Sequence, residues 1–432
     1  WEADKKNFAP RIGIACQLNV RTAIRAGYGF FYDLDRQNVN QTGFNRQTAL
    51  VPTIDNGLSF IASTADPFPN GWALANGTTQ GAMTYAGQGV SFFNPNLRTP
   101  YMQRWQFGVQ REIARQTVME VAYVGNRGTR IRTGRALNAV PRQYYSTQVL
   151  RDQDRINYMS AAVKNPFYPL LPGTSLAGST VGRSQLTRPY PQFTGVSYPT
   201  NEGYSWYHSL QTRFEKRMSQ GFTASVSWTW SKFMEAASFL NETDPRPHRV
   251  ISDQDRTHRL VVTGIYELPF GKGRRWLASP AGAAGKVIGG WQVQGIYQGQ
   301  SGAALGFGDM IFYGNIKDIP LPQGERTPER WFNTNAGFER ASARQRAWAL
   351  RYAPLRFSGI RADGINNWDL SVIKNTHFSE RGLVEFRTEF INAFNHPQFS
   401  APNTSVTSTA FGSIGGLAQF PRVIQLGLRV VF

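Results

Sequence analysis

The stretch FTASVSWTWSK, residues 222–232, alternates strictly between apolar and polar side chains. Because successive side chains of a β-strand point to opposite sides, a period of two predicts a strand with one apolar and one polar face. Such a strand suits a soluble β-sandwich with its polar face in water, or a membrane β-barrel with its apolar face in lipid. The two faces would hold Phe222, Ala224, Val226, Trp228 and Trp230 against Thr223, Ser225, Ser227, Thr229 and Ser231.

The same alternation recurs along the whole chain of 432 residues. Most of the segments have the length that a tilted strand needs to cross a bilayer, about 9–11 residues, and are longer than the usual soluble strand of about 5–6 residues. We count eleven such segments, at 11–19, 22–32, 101–112, 116–131, 204–216, 222–232, 258–268, 287–300, 366–377, 383–394 and 422–432.

The connections between these segments alternate between short and long. Compact soluble domains rarely contain structureless loops beyond about 12–15 residues, whereas bacterial outer-membrane barrels combine short periplasmic turns with long extracellular loops. The alternation therefore favours the membrane barrel. The short connections are 20–21, 113–115, 217–221, 269–286 and 379–382, and the long ones are 33–100, 132–203, 233–257, 301–365 and 395–421.

The composition agrees with a β-rich chain. Aromatic residues make up 13% and charged residues 17%, and there are 42 glycines, which is typical of many strands and turns. The net charge of +19 raises nucleic acid as a partner. The basic residues are scattered and form no dense block, so the sequence predicts no nucleic-acid binding, and anionic lipid head groups or an anionic substrate explain the charge as well. The single cysteine, Cys16, excludes an internal disulfide and is expected to be a packing residue.

The chain ends on VIQLGLRVVF, residues 423–432, another alternating segment. Its apolar set includes Leu428, Val430 and the terminal Phe432. Tyrosine and tryptophan also collect near the ends of the other segments, as expected for the aromatic girdles where lipid meets water. A terminal phenylalanine on the lipid face would lie in the periplasmic girdle.

Several stretches, taken in their order, resemble the C-terminal barrel of TonB-dependent outer-membrane receptors, specifically the Oar-like type common in Acidobacteria. The resemblance covers most of the predicted strands, and the long loops contribute little. It is carried by IRAGYGFFYD (24–33), NPNLRTPYMQRWQFGVQRE (94–112), VAYVGNRGTRI (121–131), DRTHRLVVTGIYELPFGKGR (255–274), FRTEFINAFNHPQF (386–399) and the terminal strand.

The resemblance implies an all-β fold, a transmembrane antiparallel barrel of 22 strands filled by an N-terminal plug domain. This chain would supply its C-terminal half over residues 1–432, with about eleven strands, long extracellular loops and no plug. The family also implies partners: the TonB complex through the missing N-terminal part, outer-membrane lipid and lipopolysaccharide, and a transported ligand of unknown identity. Phe432, Val430 and Leu428 would form the signal that the barrel-assembly machinery recognises.

The candidate lumen residues are Glu385, Arg387 and Glu389, which alternate on one predicted strand, and Asp369 on the neighbouring strand. Charges inside a barrel usually pair with each other or with the plug. A role in a transport pathway is the alternative.

The sequence predicts no cofactor, no metal site and no catalytic centre, and hence no enzyme. The five histidines lack zinc-binding spacing, and the two DQDR stretches, 152–155 and 253–256, lack the remaining ligands of a calcium loop. We expect the loop around Asp253 and Asp255 to be braced by Arg–Asp pairs, with a metal site as the alternative. The stretch PFGKGRR (269–275) lacks the phosphate-loop pattern and is predicted to be a periplasmic turn.

The predicted function is therefore uptake of a substrate across the outer membrane by a TonB-dependent receptor in the cell outer membrane. Two alternatives remain open at this point. One is a porin or adhesin barrel that uses its long loops for surface contacts. The other is a soluble β-rich carbohydrate-binding protein.

Overall fold

Eleven long strands form one continuous antiparallel sheet in the computed structural model, which describes residues 5–33, 48–75, 77–271, 274–277, 282–380 and 382–432. Each strand pairs with the next strand of this set along the chain. The strands are β1 (Arg11–Asn19), β2 (Thr22–Tyr32), β3 (Tyr101–Ala114), β4 (Thr117–Ala136), β5 (Gly195–Ser219), β6 (Phe222–Ala236), β7 (His258–Glu267), β8 (Trp291–Gln300), β9 (Ile365–His377), β10 (Leu383–Ile391) and β11 (Val423–Val431). The prediction of eleven strands is confirmed.

The pairing registers place the apolar positions of all eleven strands on one side of the sheet, here called the apolar face. One row of directly opposed residues on this face joins Ile14, Ala26, Phe107, Tyr123, Leu210 and Trp230. A second row joins Ala224, Gly264, Gly295, Leu370, Phe390 and Ile424. The opposite side is the polar face, where Thr229 lies between Gln211 and Arg259. The predicted alternation is confirmed, and its assignment to lipid and lumen stays a prediction.

Two neighbouring strands are longer than predicted. Strand β4 continues to Ala136 and β5 begins at Gly195, and their extensions pair with each other, for example Thr133 with Thr200. The sequence of these extensions does not alternate between apolar and polar residues. The two extensions are therefore held together by the backbone pairing between them, and they project beyond the alternating part of the sheet.

The start of a further predicted strand was wrong. The segment 287–300 was expected to be a strand throughout, but Gly282–Ile288 is helical and the strand begins at Trp291. The connection 268–290 is consequently slightly longer than the shortest of the long connections, 237–257, and is not a tight turn. The last strand ends at Val431, so Phe432 lies just past it.

The other connections follow the predicted alternation. The strands run antiparallel, so the short connections 20–21, 115–116, 220–221 and 378–382 lie at the same end of the sheet as 268–290. The long connections lie at the opposite end, and they are 33–100, 137–194, 237–257, 301–364 and 392–422. In the long connection 33–100, residues 34–47 and 76 lie outside the described residues. The same holds for part of connection 268–290.

The connections contain short elements only. Their strands are Gly89–Ser91, Ala162–Lys164, Thr180–Gly182, Val250–Ile251, Ala304–Leu305 and Phe357–Arg361. Their helices and helical turns are Gln153–Ser160, Arg183–Leu186, Gly282–Ile288, Gly81–Met83, Arg142–Tyr144, Ile316–Asp318, Gln323–Glu325 and Ser342–Arg344. Not one of the helices in the described part of the chain has the length and apolar character to cross a membrane.

The largest buried apolar cluster lies in the long connections and not on the sheet. Connections 301–364 and 392–422 together bury Phe307, Phe332, Phe338 and Phe411. Phe332 is 1% exposed, and the ring of Phe338 lies 5.0 Å from the rings of both Phe307 and Phe411. Burying an aromatic side chain contributes about 2–3 kcal/mol, so these connections form a packed unit.

Candidate functional site: the polar face and its cap

The predicted lumen residues of β10 meet on the polar face. Arg387 donates from Nη2 to Glu385 Oε1 at 3.1 Å and from Nη1 to Glu389 Oε1 at 3.4 Å. The three side chains are two residues apart on one strand, which brings them to the same side. The structure therefore brings together the three charges that the sequence singled out. Whether they line a lumen stays a prediction.

Asp369 has a different role from these three. Its Oδ1 accepts from Asn367 Nδ2 at 2.9 Å and from the backbone N–H of Asn392 at 2.8 Å. It therefore fixes the start of connection 392–422 to the first half of β9. Within the described residues, no hydrogen bond or ion pair joins Asp369 to the charges of β10.

The long connections 137–194, 237–257, 301–364 and 392–422 form one layer, here called the cap. Arg346 joins two of these connections. Its side chain is 1% exposed and reaches Asp309 Oδ1 at 3.0 Å and Leu350 O at 2.6 Å within 301–364, and Gln148 O at 3.0 Å in 137–194. Arg351 N donates to Asn241 Oδ1 at 2.7 Å, which adds connection 237–257. The cap is thus a single hydrogen-bonded body.

The charges that hold the cap shift one another's proton affinity. Burial raises the pKa of the Asp309 carboxyl, and Arg346 and Arg351 oppose that rise. Burial also lowers the pKa of the Arg351 guanidinium, which Asp309 partly offsets. Removal from water disfavours the charged form of each group, and the opposite charge nearby restores it.

Two mostly buried ion pairs seat connection 301–364 on the polar face, and we call these four residues the latch. In the first pair, Arg361 Nη2 lies 2.7 Å from Asp255 Oδ2, and the Asp255 side chain is 1% exposed. Asp255 Oδ1 also accepts from the backbone N–H of Phe233 on β6 at 2.6 Å. The sequence had predicted Arg–Asp bracing of this loop, and the structure confirms it. The arginine, however, comes from another connection.

The second pair of the latch joins Arg356 to Glu235 on β6. Arg356 Nε donates to Ile251 O at 2.8 Å, and Ser252 Oγ donates to Glu235 Oε2 at 2.6 Å. Every charge of the latch thus has a partner of opposite sign and further hydrogen bonds, as buried charges require.

A cavity of about 460 Å³ adjoins the latch. This volume lies within the range of pockets that bind small molecules, about 300–1,000 Å³. The lining takes side chains from both faces, since Leu210 and Trp230 belong to the apolar face and Ser209 and Ser231 to the polar face, and it includes the ion pair of Asp255 with Arg361. The residues around it are Tyr123, His208, Ser209, Leu210, Trp230, Ser231, Lys232, Ile251, Asp255, Thr257, Ser358 and Arg361.

Both DQDR stretches have structural roles. Asp152 caps the helix Gln153–Ser160 by accepting from Arg155 N at 2.9 Å, and Asp255 belongs to the latch. Across the residues that the structure describes, no group of three or more His, Cys, Asp or Glu side chains is arranged to hold a metal ion.

The predicted assembly residues lie at the open edge of the sheet. Leu428 and Val430 are exposed on the apolar face, opposite Phe386 and Val384. Phe432 is 91% exposed, and its ring lies 6.4 Å from that of Phe378 in the neighbouring connection. Their role as an assembly signal stays a prediction.

Comparison with known proteins places this fold in a family. Residues 1–425 match the outer membrane beta barrel domain. The chain is 9% identical to the outer membrane transporter YddB from Escherichia coli, with 96% of this chain and 38% of that one covered and a TM-score of 0.42. It is 10% identical to the siderophore receptor PirA from Acinetobacter baumannii, with 99% and 41% covered and a TM-score of 0.44.

A further similar structure is the FrpB iron transporter from Neisseria meningitidis, at 10% identity, with 98% of this chain and 39% of that one covered and a TM-score of 0.41. The chain spans about two fifths of the length of each of these three proteins. No curated protein matches its sequence. The match over residues 1–425 identifies the chain as a member of the outer membrane beta barrel domain family, located in the outer membrane.

Proposed function

We propose that the chain is the C-terminal part of a TonB-dependent receptor of the Oar-like type, and that the whole protein takes up a substrate across the outer membrane. The substrate is captured at the cap and passes along the polar face. TonB acts through a part of the protein outside this chain. The barrel-assembly machinery recognises Leu428, Val430 and Phe432.

The exposed edges of the sheet support the view that this chain is part of a larger barrel. Among the residues that the structure describes, strands β1 and β11 each pair on one side only, and all nine residues of β1 are exposed. An open strand edge in lipid leaves backbone N–H and C=O groups without partners, each at a cost of several kcal/mol. Further strands of the same protein would satisfy both edges and close the barrel.

The observation that carries the proposal is the seating of the cap on the polar face. The latch consists of paired, mostly buried charges, so connection 301–364 is held over the polar side of β6. A folded outer layer above a polar-lined path is what selective uptake needs. A general porin needs an open path, and an adhesin needs no path.

Uptake by the full-length protein tests this proposal. Cells with and without the gene would be grown in a complex medium, and the loss of each solute from the medium would be measured by mass spectrometry, with and without a protonophore. A TonB-dependent receptor gives selective, energy-dependent loss of one solute class. Energy-independent loss of many small solutes would instead identify a porin. Equal solute concentrations in the media of cells with and without the gene would contradict transport.

A further inference from the structure

The backbone ladder between β6 and β7 ends before β6 does. Its last pair is Trp230 with His258, whereas β6 continues to Ala236. Beyond this pair, β6 borders the segment 250–257, and the backbone N–H of Phe233 donates to a side chain of that segment. A regular ladder would offer it a backbone carbonyl. The sheet therefore has a discontinuity beside the last residues of β6.

The cavity of about 460 Å³ that adjoins the latch lies at this discontinuity. Residues 230–232 of β6 contribute to its lining, as do Asp255 and Thr257 of the neighbouring segment. Ser358 and Arg361 border it from the cap. A ligand in the cavity would therefore touch both the sheet and the latch.

Flat rings form the apolar part of the lining. Trp230 is exposed on the apolar face, and Leu210 lies directly opposite it on β5. The rings of Tyr123 and His208 are stacked, with 6.1 Å between their centres and 16° between their planes. Aromatic rings pack favourably against one another in offset-stacked or edge-to-face arrangements. These walls therefore favour a ligand with an aromatic ring over one with a flexible acyl chain.

One cation of the lining lacks a countercharge. Arg361 is paired with Asp255 at 2.7 Å, so these two charges offset each other. Lys232 is exposed, and within the described part of the chain it forms no ion pair. It lies directly opposite His208 in the pairing of β5 with β6. The cavity thus carries one unbalanced positive charge beside its aromatic walls.

His208 adds a hydrogen-bond donor next to that charge. Its Nδ1 lies 2.7 Å from the hydroxyl oxygen of Tyr123. When the hydroxyl donates this bond, the proton of the neutral imidazole is on Nε2. Nε2 can then donate to an acidic group that also contacts the Lys232 ammonium. Such a two-point contact suits a carboxylate, because a carboxylate accepts hydrogen bonds at both of its oxygens.

We propose that the cavity is a binding site for a small aromatic carboxylate. The ring of the ligand packs over Leu210, between Tyr123 and Trp230. Its carboxylate accepts from Lys232 and His208. The ligand reaches the site from outside the cell, so the proposal shares the outward direction of the long connections with the proposed function. It is otherwise independent of the solute that the protein transports.

Binding of 2-naphthoate to the full-length protein in detergent tests the site without any transport. Equilibrium dialysis against empty micelles of the same detergent measures the protein-bound part. Two further probes separate the features of the ligand: 2-naphthylmethanol has the same rings without the charge, and decanoate has the charge without a ring. The wild type should bind naphthoate saturably and about tenfold more tightly than either, because it alone satisfies both the cation and the aromatic walls.

Two substitutions with matched controls assign the binding to this cavity. Lys232→Gln should weaken naphthoate binding about tenfold, because charge-assisted hydrogen bonds are roughly twice as strong as neutral ones, and should leave binding of the alcohol unchanged. Trp230→Leu should weaken the binding of both. The controls are Lys216→Gln, on the same face at the other end of β5, and Trp228→Leu, on the same face of β6. Neither control residue lines the cavity, so both variants should bind naphthoate like the wild type.

Hydrogen exchange adds a structural readout. Bound naphthoate should slow the exchange of residues 250–257 in the wild type, and less so in Lys232→Gln at the same concentration. Absence of saturable binding, or equal affinity in Lys232→Gln and the wild type, would overturn the proposal. Equally tight binding of decanoate would assign the cavity to an acyl chain, and equally tight binding of the alcohol would eliminate the acidic group. Either result would overturn it as well, and neither depends on whether the protein transports a solute.

Discussion

Arg361 and Asp255 are separated by 106 residues in sequence and lie 2.7 Å apart, with the carboxylate almost entirely buried. The pair joins connection 301–364 to connection 237–257 and, through the backbone of Phe233, to β6. It is therefore one of the two ion pairs that fix the cap to the sheet.

Replacing Arg361 by glutamine should loosen the cap and leave the barrel folded. The change leaves the buried Asp255 carboxylate without its countercharge, which costs about 3–5 kcal/mol. Hydrogen exchange of residues 301–364 should rise sharply, while heat modifiability of the barrel should not change. The control Arg344→Gln removes an arginine with a 75% exposed side chain in the same connection and should have little effect. Equal protection in both variants would show that the latch does not hold the cap.

Val226 should face lipid and Ser227 the lumen. Val226 lies between Phe214 and Val262 on the apolar face, whereas Ser227 lies opposite Arg213. Val226→Arg near the middle of the bilayer should cost about 2–4 kcal/mol, and Ser227→Arg much less. Denaturant unfolding of the full-length protein in lipid vesicles measures both. Equal costs would contradict the assignment of the faces.

Phe432 should support assembly. It lies beyond the last strand, 91% exposed, so its loss removes little packing within the chain. Deleting it should nevertheless lower the amount of folded, heat-modifiable barrel in the outer membrane. The substitution Phe420→Gln removes a ring that is 83% exposed in connection 392–422 and serves as the control. An unchanged yield of folded barrel after deletion of Phe432 would contradict its role in assembly.

The cap should lie outside the cell. In a Cys16→Ala background, a cysteine at Asn335 in the cap should react with a membrane-impermeant maleimide on intact cells. A cysteine at Glu380 in the connection of β9 to β10 should react only after the outer membrane is opened. Both positions are exposed, so accessibility within the chain does not bias the comparison. The reverse pattern would invert the topology, and with it the basis of both proposals.

Mild acid should weaken the cap through His248. Burial lowers the pKa of its imidazole, as does the charge of Arg351, while Asp244 acts in the opposite sense. The folded cap therefore favours the neutral ring. The contribution of His248 to the stability of the cap is complete above the usual histidine pKa of about 6.5. It falls as the pH drops from there toward the lowered pKa of His248 in the folded cap. Hydrogen exchange of the cap, corrected for intrinsic rates, should rise between pH 7.5 and 5.5.

Replacing His248 by asparagine should flatten this dependence, and His377→Asn at the other end of the sheet should not. A pH dependence that persists in His248→Asn would assign the effect to other groups.

The sheet was predictable because each of its strands carries its own signal. In β6, the alternation of Trp228 and Trp230 with Ser227 and Thr229 is visible in the sequence of that strand alone. The extension of β5 back to Gly195 was missed because neither side of that segment is consistently apolar. The helix Gly282–Ile288 was missed: residues 282–286 were assigned to a connection and the last two to a strand, because seven residues rich in glycine and alanine are too few to show a helical period.

The site was harder to predict because its contacts join distant parts of the chain. Arg387 with Glu385 and Glu389 could be found, since the three alternate on one strand. The pairing of Arg356 with Glu235 could not, because 121 residues separate them and neither position has a distinctive pattern. The aromatic core around Phe332 was likewise hidden, since its members come from irregular connections without a period.

The shared core of the cap limits how such a protein can diversify. Because Phe332 and Phe411 pack together from different connections, an insertion or deletion in one connection must be compensated in the other. The stretch 48–75 is different: within the described part of the chain, its hydrogen bonds run inside the stretch, as from Ala73 N to Thr48 Oγ1. Insertions and substitutions, whether they evade a phage or an antibody or graft a foreign epitope, should therefore be tolerated best at 48–75 and least in the cap.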